Sequence, residues 1–303
     1  MESDPMSTIT PLQHVYFGLT MACNLRCRHC FAEAGVAEAN ELTTNEVIGA
    51  FDQIAGLGAD KVTITGGEPL ARPDFPQISR HAMGLLGCGI SRLALVTNAT
   101  LINQESARCI SSIFTSVSVS IDGLETYNDS LRGQGSYNKA LHGLRHLVCA
   151  GVQPTVFITV TRGNESSIGS LIHYLYHEEK VSHFKLRPIR QVGRALKYQD
   201  LTGGHEDPMH LGFAGGTVVD QPPVEREPGP MGYSLYIHPE GSVYPCHLLR
   251  HPEFIAGNIR EVPLRDIFHN SSVFGSLRSW GIRCCQHATN PRETLLCLMR
   301  RKG

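Results

Sequence analysis

Nowhere in this 303-residue chain do roughly 18 to 20 apolar residues follow one another, so no helical membrane span is expected. The first residues, "MESDPMSTITPL", are acidic and lack the basic flank and apolar run of a signal peptide. A surplus of one charge is missing too. The 27 Lys and Arg face 28 Asp and Glu, which removes the electrostatic reason to expect nucleic acid or an anionic membrane as a partner. The chain therefore reads as cytoplasmic. In that reducing compartment its 10 cysteines are read as metal ligands, catalytic thiols or small buried hydrophobes rather than disulfide partners.

The length allows one large α/β domain, or a domain of about 200 residues plus a smaller one. From residue 15 onward β-branched runs alternate with helical patterns: "VYFGL", "KVTIT" at 61, "RLALVT" at 92, "SVSVSI" at 116, "TVFITV" at 155 and "HFKLRP" at 183. That alternation predicts a parallel sheet, barrel-like or doubly wound, over residues 12–195. Its strands are read as apolar at nearly every position, with helices on one face and a filled interior on the other. A helix is expected to open at Thr43, with Glu46 completing a capping box, and another at Asp74. Cys88, Cys109 and Cys149 fall in helical patterns and are read as core residues.

After "RQVGRAL" the pattern breaks into a Gly- and Pro-rich stretch, read as an irregular connection over 196–230. A small α+β module is expected over 231–303. It has two strands around the Pro239–Gly241 turn and a short helix in "VPLRDIFHNSSVFGSL".

Three cysteines, Cys23, Cys27 and Cys30, stand close together in "TMACNLRCRHCFAEAG", residues 20–35, with no fourth beside them. A structural zinc site wants four ligands, whereas an iron–sulfur cubane has four irons that each accept one. Three thiolates leave one iron open for a substrate or cofactor. His29 is an alternative fourth zinc ligand, but its place next to Cys30 would force it to fold back.

The Cys-x3-Cys-x2-Cys spacing directly after a first strand resembles the radical S-adenosylmethionine (SAM) enzyme family. "TGGEP" at 65–69 after the second strand, "TNAT" after the third and "SIDG" at 120–123 after the fourth extend the resemblance over residues 12–195. It implies an α/β fold with a partial, TIM-like (β/α)6 barrel, a [4Fe-4S] cluster on the three cysteines, and SAM as cofactor. An electron donor such as flavodoxin or ferredoxin would serve it. SAM contacts are then expected at Gly66, Gly67, Glu68 and Pro69, and at Asn98, Ser120 and Asp122, with Arg132 pairing either to the SAM carboxylate or to Asp122. All these motifs fall at carboxyl ends of parallel strands, where such folds place their sites.

"GSVYPCHLLRHPEFIAGNI" resembles the start of the SPASM or twitch extension, with Cys246 at its ligating position. The usual upstream cysteine is absent and the closing cysteine-rich run is replaced. Cys246, Cys284, Cys285 and Cys297 remain candidate ligands for one auxiliary iron–sulfur cluster. Of the histidines, His205, His210 and His247 are the ones to watch. Arg187, Arg190 and Arg194 either face the barrel mouth or tie the barrel to the second module.

The resemblance implies hydrogen abstraction from a ribosomally made peptide, leading to a cross-link, epimerisation or oxidation. Only about a dozen residues precede the first strand, so a peptide would need direct docking or a separate recognition protein. The alternatives are a tetrapyrrole side chain or small-molecule substrate, and, from another class, a non-catalytic iron–sulfur or zinc-binding protein. That last reading has no use for "TGGEP", "TNAT" and "SIDG" at strand ends.

Overall fold

A computed structural model describes residues 11–202 and 231–280. Cys284, Cys285, Cys297, His205, His210 and most of the 196–230 connection lie outside the described residues. The six β-branched runs form β1 (His14–Gly18), β2 (Ala59–Thr65), β3 (Ile90–Thr97), β4 (Ser116–Ser120), β5 (Thr155–Val160) and β6 (His183–Pro188). They lie in chain order, every neighbouring pair parallel. Parallel neighbours require crossovers. These are made by α1 (Thr44–Gly56), α2 (Phe75–Gly84), α3 (Gln104–Ile113), α4 (Glu125–Arg132) with α5 (Ser136–Cys149), and α6 (Ile168–His177).

The C-terminal residues continue the same sheet. Strand β7 (Ser234–Ile237) adds to β1 in parallel, and β8 (Ser242–Tyr244) and β9 (Gly257–Asn258) follow antiparallel. The expected short helix is two, α7 (Leu264–Asn270) and α8 (Ser272–Trp280), broken at the extended Ser271. Thr43 and Glu46 form the capping box of α1. Asp74 precedes α2 but does not cap it through its side chain. Its carboxylate accepts from Arg72 Nε at 2.7 Å and from Thr44 Oγ1 at 2.5 Å, and so joins the starts of α1 and α2.

Alternate strand positions make the core. Val15, Phe17, Val62, Ile64, Leu93, Leu95, Val117 and Val119 pack against Phe51, Ile54, Ile78, Ile110 and Leu144 of the helices. The other face is not the filled apolar interior that the sequence suggested. Side chains one residue out of step point inward, and many are polar: His14, Lys61, Thr63, Ser118, Ser120, Thr155, Lys185 and Arg187, as the "SVSVS" of β4 shows most plainly, beside the apolar Ala94, Val96 and Phe157. A six-stranded barrel does not close on itself, so the layered packing that fills a closed eight-stranded barrel is not imposed on it.

Cys88, Cys109 and Cys149 are exposed, not core. Cys88 lies in the turn before β3, Cys109 on the face of α3 opposite Ala107 and Ile110, and Cys149 on the last turn of α5.

Helix α5 rests on the loop after β3 through Gly143, where an added Cβ would lie 2.0 Å from Ala99 O. That carbonyl belongs to a residue held at φ 60. Gly143→Ala should destabilise the chain by about 1–3 kcal/mol in denaturant unfolding. Gly49→Ala, on α1 with nothing within 4 Å of the new Cβ, should be neutral or gain up to about 1 kcal/mol. Equal responses would refute this packing.

Candidate active site

The long connection between β1 and α1 carries the three cysteines. Its neck is closed by Cys23 N donating to Gly35 O at 3.0 Å and Gly35 N to Met21 O at 2.7 Å. Cys27 is buried; Cys23 and Cys30 are half-buried, and none of the three is in a disulfide. The segment after β6 clamps the loop. Arg194 Nε donates to Cys27 O at 2.8 Å and Nη1 to Ala34 O at 2.9 Å, while its backbone N donates to Cys30 O at 3.1 Å. Gly193 makes this approach feasible: its φ is +58, and a Cβ would lie 2.5 Å from Phe31 O. Arg194 is thus a clamp on the cysteine loop. Arg187 lies over the Phe157 ring at 4.7 Å on the inner face. Arg250, which was not singled out from the sequence, donates to Phe31 O and Ala32 O from beyond β8.

"TGGEP" docks on this loop edge to edge. Gly67 N donates to Thr20 O at 2.7 Å and Glu68 N to Ala22 O at 2.8 Å, and a Cβ on Gly67 would meet Ala22 O at 2.2 Å. Glu68 is wholly buried. Its carboxylate accepts from Thr97 Oγ1 and Asn98 N, each at 2.7 Å, and from Leu70 N at 3.3 Å. Glu68 therefore ties the ends of β2 and β3 together. Pro69 opens the short 3-10 turn behind it. Asn98 reaches the cysteine loop, its Nδ2 donating to Asn24 Oδ1 at 3.0 Å and lying 3.8 Å from Cys23 Sγ.

Asp122 is also wholly buried. Its Oδ1 accepts from Thr159 N at 2.7 Å, and its Oδ2 pairs with Arg132 Nε and Nη2, both at 2.7 Å. Of the two partners foreseen for Arg132, the structure gives Asp122. His29 also turns here, with Nε2 3.3 Å from Asp122 Oδ2. Burial lowers the His29 ring to about 4, against the pull of Asp122. Ser120 is half-buried on the inner face two residues before Asp122.

Below these loops an aromatic column runs up the inner wall. His14 stacks on Tyr16 at 3.9 Å, Tyr16 meets His247 at 4.7 Å, and His247 meets Phe31 of the cysteine loop at 5.2 Å. Sequence reasoning flagged His247 but missed His14 and Tyr16, whose signal was inward parity on the first strand. It also read the histidines as forming no His-x3-His grouping, which was wrong: His142 with His146, His173 with His177 and His247 with His251 are all spaced four apart. The first pair stands Nε2 to Nε2 at 3.0 Å on the exposed side of α5.

The donor set suits a cluster better than a single ion. Thiolates around one zinc would stand about 3.8 Å apart, given bonds of about 2.3 Å. Among the described residues the three sulfurs are not all within 4.8 Å of one another, and the His29 ring that would complete a zinc shell is turned to Asp122. Burial raises the Cys23 thiol to about 11, against a hydrogen bond from Leu25 N, and raises Cys27 as well. Thiolates here need a bound cation.

A sequence profile of the radical SAM superfamily matches residues 18–175. The chain belongs to that superfamily. A second profile, SPASM, described as an iron-sulfur cluster-binding domain, matches residues 230–297. The chain is 30% identical over 313 residues to AdoMet-dependent heme synthase of Methanosarcina barkeri, covering 86% of this chain and 83% of that protein. It is 27% identical to mycofactocin maturase MftC of Mycobacterium tuberculosis, covering 86% and 71%. For two other curated relatives the chain spans about half their length, 45% of one and 48% of the other. Among solved structures, SuiB of Streptococcus suis bound to S-adenosylmethionine superposes with TM-score 0.72 at 20% identity, over 89% of this chain and 68% of that one.

The radical SAM protein is thus an enzyme, and its two domains imply [4Fe-4S] clusters and SAM. Of the candidate auxiliary ligands, Cys246 alone is described, and it is buried in one apolar cluster with Tyr236 and Tyr244. Among the described residues no helix is long and apolar enough to cross a membrane.

Burial lifts the Glu68 carboxyl to about 7, although Asn98 N and Thr97 Oγ1 donate to it. The folded chain then keeps a proton that the unfolded chain gives up near about pH 4.3. The stability this group adds is full below that value and is lost as pH rises through about 7. Buried His14, His29 and His238, lowered to about 2, 4 and 4, act oppositely and cost stability as pH falls below the histidine range. Comparison with Glu68→Gln cancels them. In denaturant unfolding of the cluster-free protein the variant should gain on wild type between about pH 5 and about pH 8. A pH-independent difference would contradict the raised value.

Proposed function

We propose that Cys23, Cys27 and Cys30 hold a [4Fe-4S] cluster with one iron left for SAM, and that the substrate is a tetrapyrrole bound through its carboxylate side chains on the inner face of the barrel. When bound, the cluster and SAM supply a 5′-deoxyadenosyl radical that takes a hydrogen atom from the substrate. The protein's part is to place and shield. Gly66 and Gly67 offer backbone, and Asn98 and Ser120 offer polar side chains, for SAM; Glu68, Asp122 and Arg132 hold the strand ends that carry them. A one-electron donor of the flavodoxin or ferredoxin kind is required.

One observation carries the substrate class. Among the described residues, inward positions of β1 to β7 include Lys61, Lys185 and Arg187, together with Arg92, which is exposed and paired with Asp60. After burial, the charges of Lys61, Arg92 and Arg187 depress the His14 ring, so each acts electrostatically on the aromatic wall. Cations beside an aromatic wall suit a flat, multiply anionic substrate. The similarity to a heme synthase over most of both chains supports the same reading.

A peptide substrate is the second reading, supported by the likeness to mycofactocin maturase. It would call for direct docking of the peptide or a separate peptide-recognition protein, and for Cys246, Cys284, Cys285 and Cys297 to supply ligands to an auxiliary cluster that takes up an electron.

The anaerobically reconstituted chain, given SAM and a reductant, should form 5′-deoxyadenosine faster with a tetrapyrrole bearing free propionates than with its methyl esters. Lys185→Met and Arg187→Gln should each raise KM about 10-fold, the worth of one charge-assisted contact, while cleavage without substrate persists. Changing Cys23, Cys27 and Cys30 to Ala should abolish cleavage. Equal rates with acid and ester, or stimulation by a peptide alone, would overturn the tetrapyrrole reading.

A further inference from the structure

The turn after β7 docks on the segment that leads from the cysteine loop into α1. Leu42 N donates to Pro239 O at 2.7 Å, and Asn40 Nδ2 to Glu240 Oε2 at 3.2 Å. At this seam Glu38, His238 and Glu240 are the one group of three His, Cys, Asp or Glu, among the described residues, whose ligand atoms lie within 4.8 Å of one another.

His238 is 7% exposed, and its Nδ1 is buried without a hydrogen-bond partner. That nitrogen faces Glu38 Oε2 at 3.8 Å and Glu240 Oε1 at 3.7 Å, both too far for a hydrogen bond. A buried polar atom left in this state destabilises the fold. The spacing suits three ligands that share one ion. Donors at about 2.0–2.1 Å from a tetrahedral ion stand about 3.4 Å apart. For the two histidine spacings closing the difference needs a few tenths of an ångström, and the Glu38 side chain, 39% exposed, has room to move toward a shared ion.

The surroundings fit as well. Ser242 Oγ donates to Glu240 Oε1 at 3.0 Å, and together with Asn40 it orients that carboxylate as outer-shell donors orient metal ligands. Burial, then Arg250, lowers the His238 ring to about 4, so it is neutral and ready to ligate. Burial and the charges of Glu240 and Glu41 raise the Glu38 carboxyl, a repulsion that a cation would relieve. Arg250 is the cation that already acts on both groups, but its guanidinium is spent on Phe31 O and Ala32 O.

We propose that Glu38, His238 and Glu240 bind a divalent metal ion, completed by water, which pins the turn after β7 to the cysteine-loop segment. One imidazole and two carboxylates without a thiolate suit Mn²⁺, Fe²⁺ or Zn²⁺. The site is separate from the three cysteines and from Cys246.

Mn²⁺ is the probe, because its preference for oxygen ligands keeps it off free thiols and its free form is counted by electron paramagnetic resonance. Titrated into the full chain with its cluster reconstituted, Mn²⁺ should fill one site per chain and be displaced by Zn²⁺. Glu38→Gln and Glu240→Gln should each weaken binding at least about 10-fold with unchanged circular dichroism, and Cys246→Ser should leave it as in wild type. His238→Ala should abolish it; if that variant does not fold, the two Gln variants decide. Absence of saturable binding, retention in both Gln variants, or loss in Cys246→Ser would overturn the proposal.

Discussion

Asp122 sits wholly out of solvent at the end of β4, where a carboxylate without partners would cost several kcal/mol. Its partners come from three other parts of the chain: Thr159 N on β5, Arg132 on α4 and His29 in the cysteine loop. Parallel strands bring every active-site loop to one edge of the sheet, but nothing in strand pairing fixes the loops to one another. Asp122 supplies that bond on one side and Glu68 on the other, through Thr97 and Asn98. The two motif carboxylates therefore act first as ties between strand ends, and the cysteine loop is seated on the frame they make.

The loop itself has little regular structure, so its carbonyls need donors from elsewhere. Arginine, with five N–H groups in a fixed fork, provides them. Arg72, three residues past "TGGEP", donates to Leu19 O and Leu42 O, each at 2.7 Å, and so holds both ends of the β1 to α1 connection. Arg194 and Arg250 grip its middle. Two of these three arginines follow the sixth strand, which couples the geometry of the cysteines to the C-terminal part of the chain.

Patterns local in sequence were legible: six β-branched runs became six parallel strands, and Thr43 with Glu46 became a capping box. The cysteine spacing and the strand-end motifs pointed to the family without any knowledge of contacts. What was not legible depends on partners far along the chain. Glu68 finds Thr97 and Asp122 finds Thr159, and no local signal in "TGGEP" or "SIDG" announces those distances. The inner face was misread because the valines and isoleucines of each strand drew attention from the Ser, Thr, Lys and His between them. Cys109 was misread for a related reason: apolar neighbours in sequence lie on the opposite side of a helix from it, 100° per residue apart.

The polarity of that inner face has a mechanistic logic. A reaction that takes hydrogen from an unactivated C–H bond offers the protein no charge to stabilise at the reacting carbon, so position must come from groups remote from it. Under the tetrapyrrole proposal, Lys61, Lys185 and Arg187 would meet distant carboxylates, while His14, Tyr16 and His247 form a flat-sided column that leads to Phe31 in the cysteine loop. An apolar lumen would bind a flat substrate with less control over its rotation about the barrel axis. On the same proposal, cations on β2 and β6 would remove that freedom and make the polar wall a jig for one orientation of the substrate.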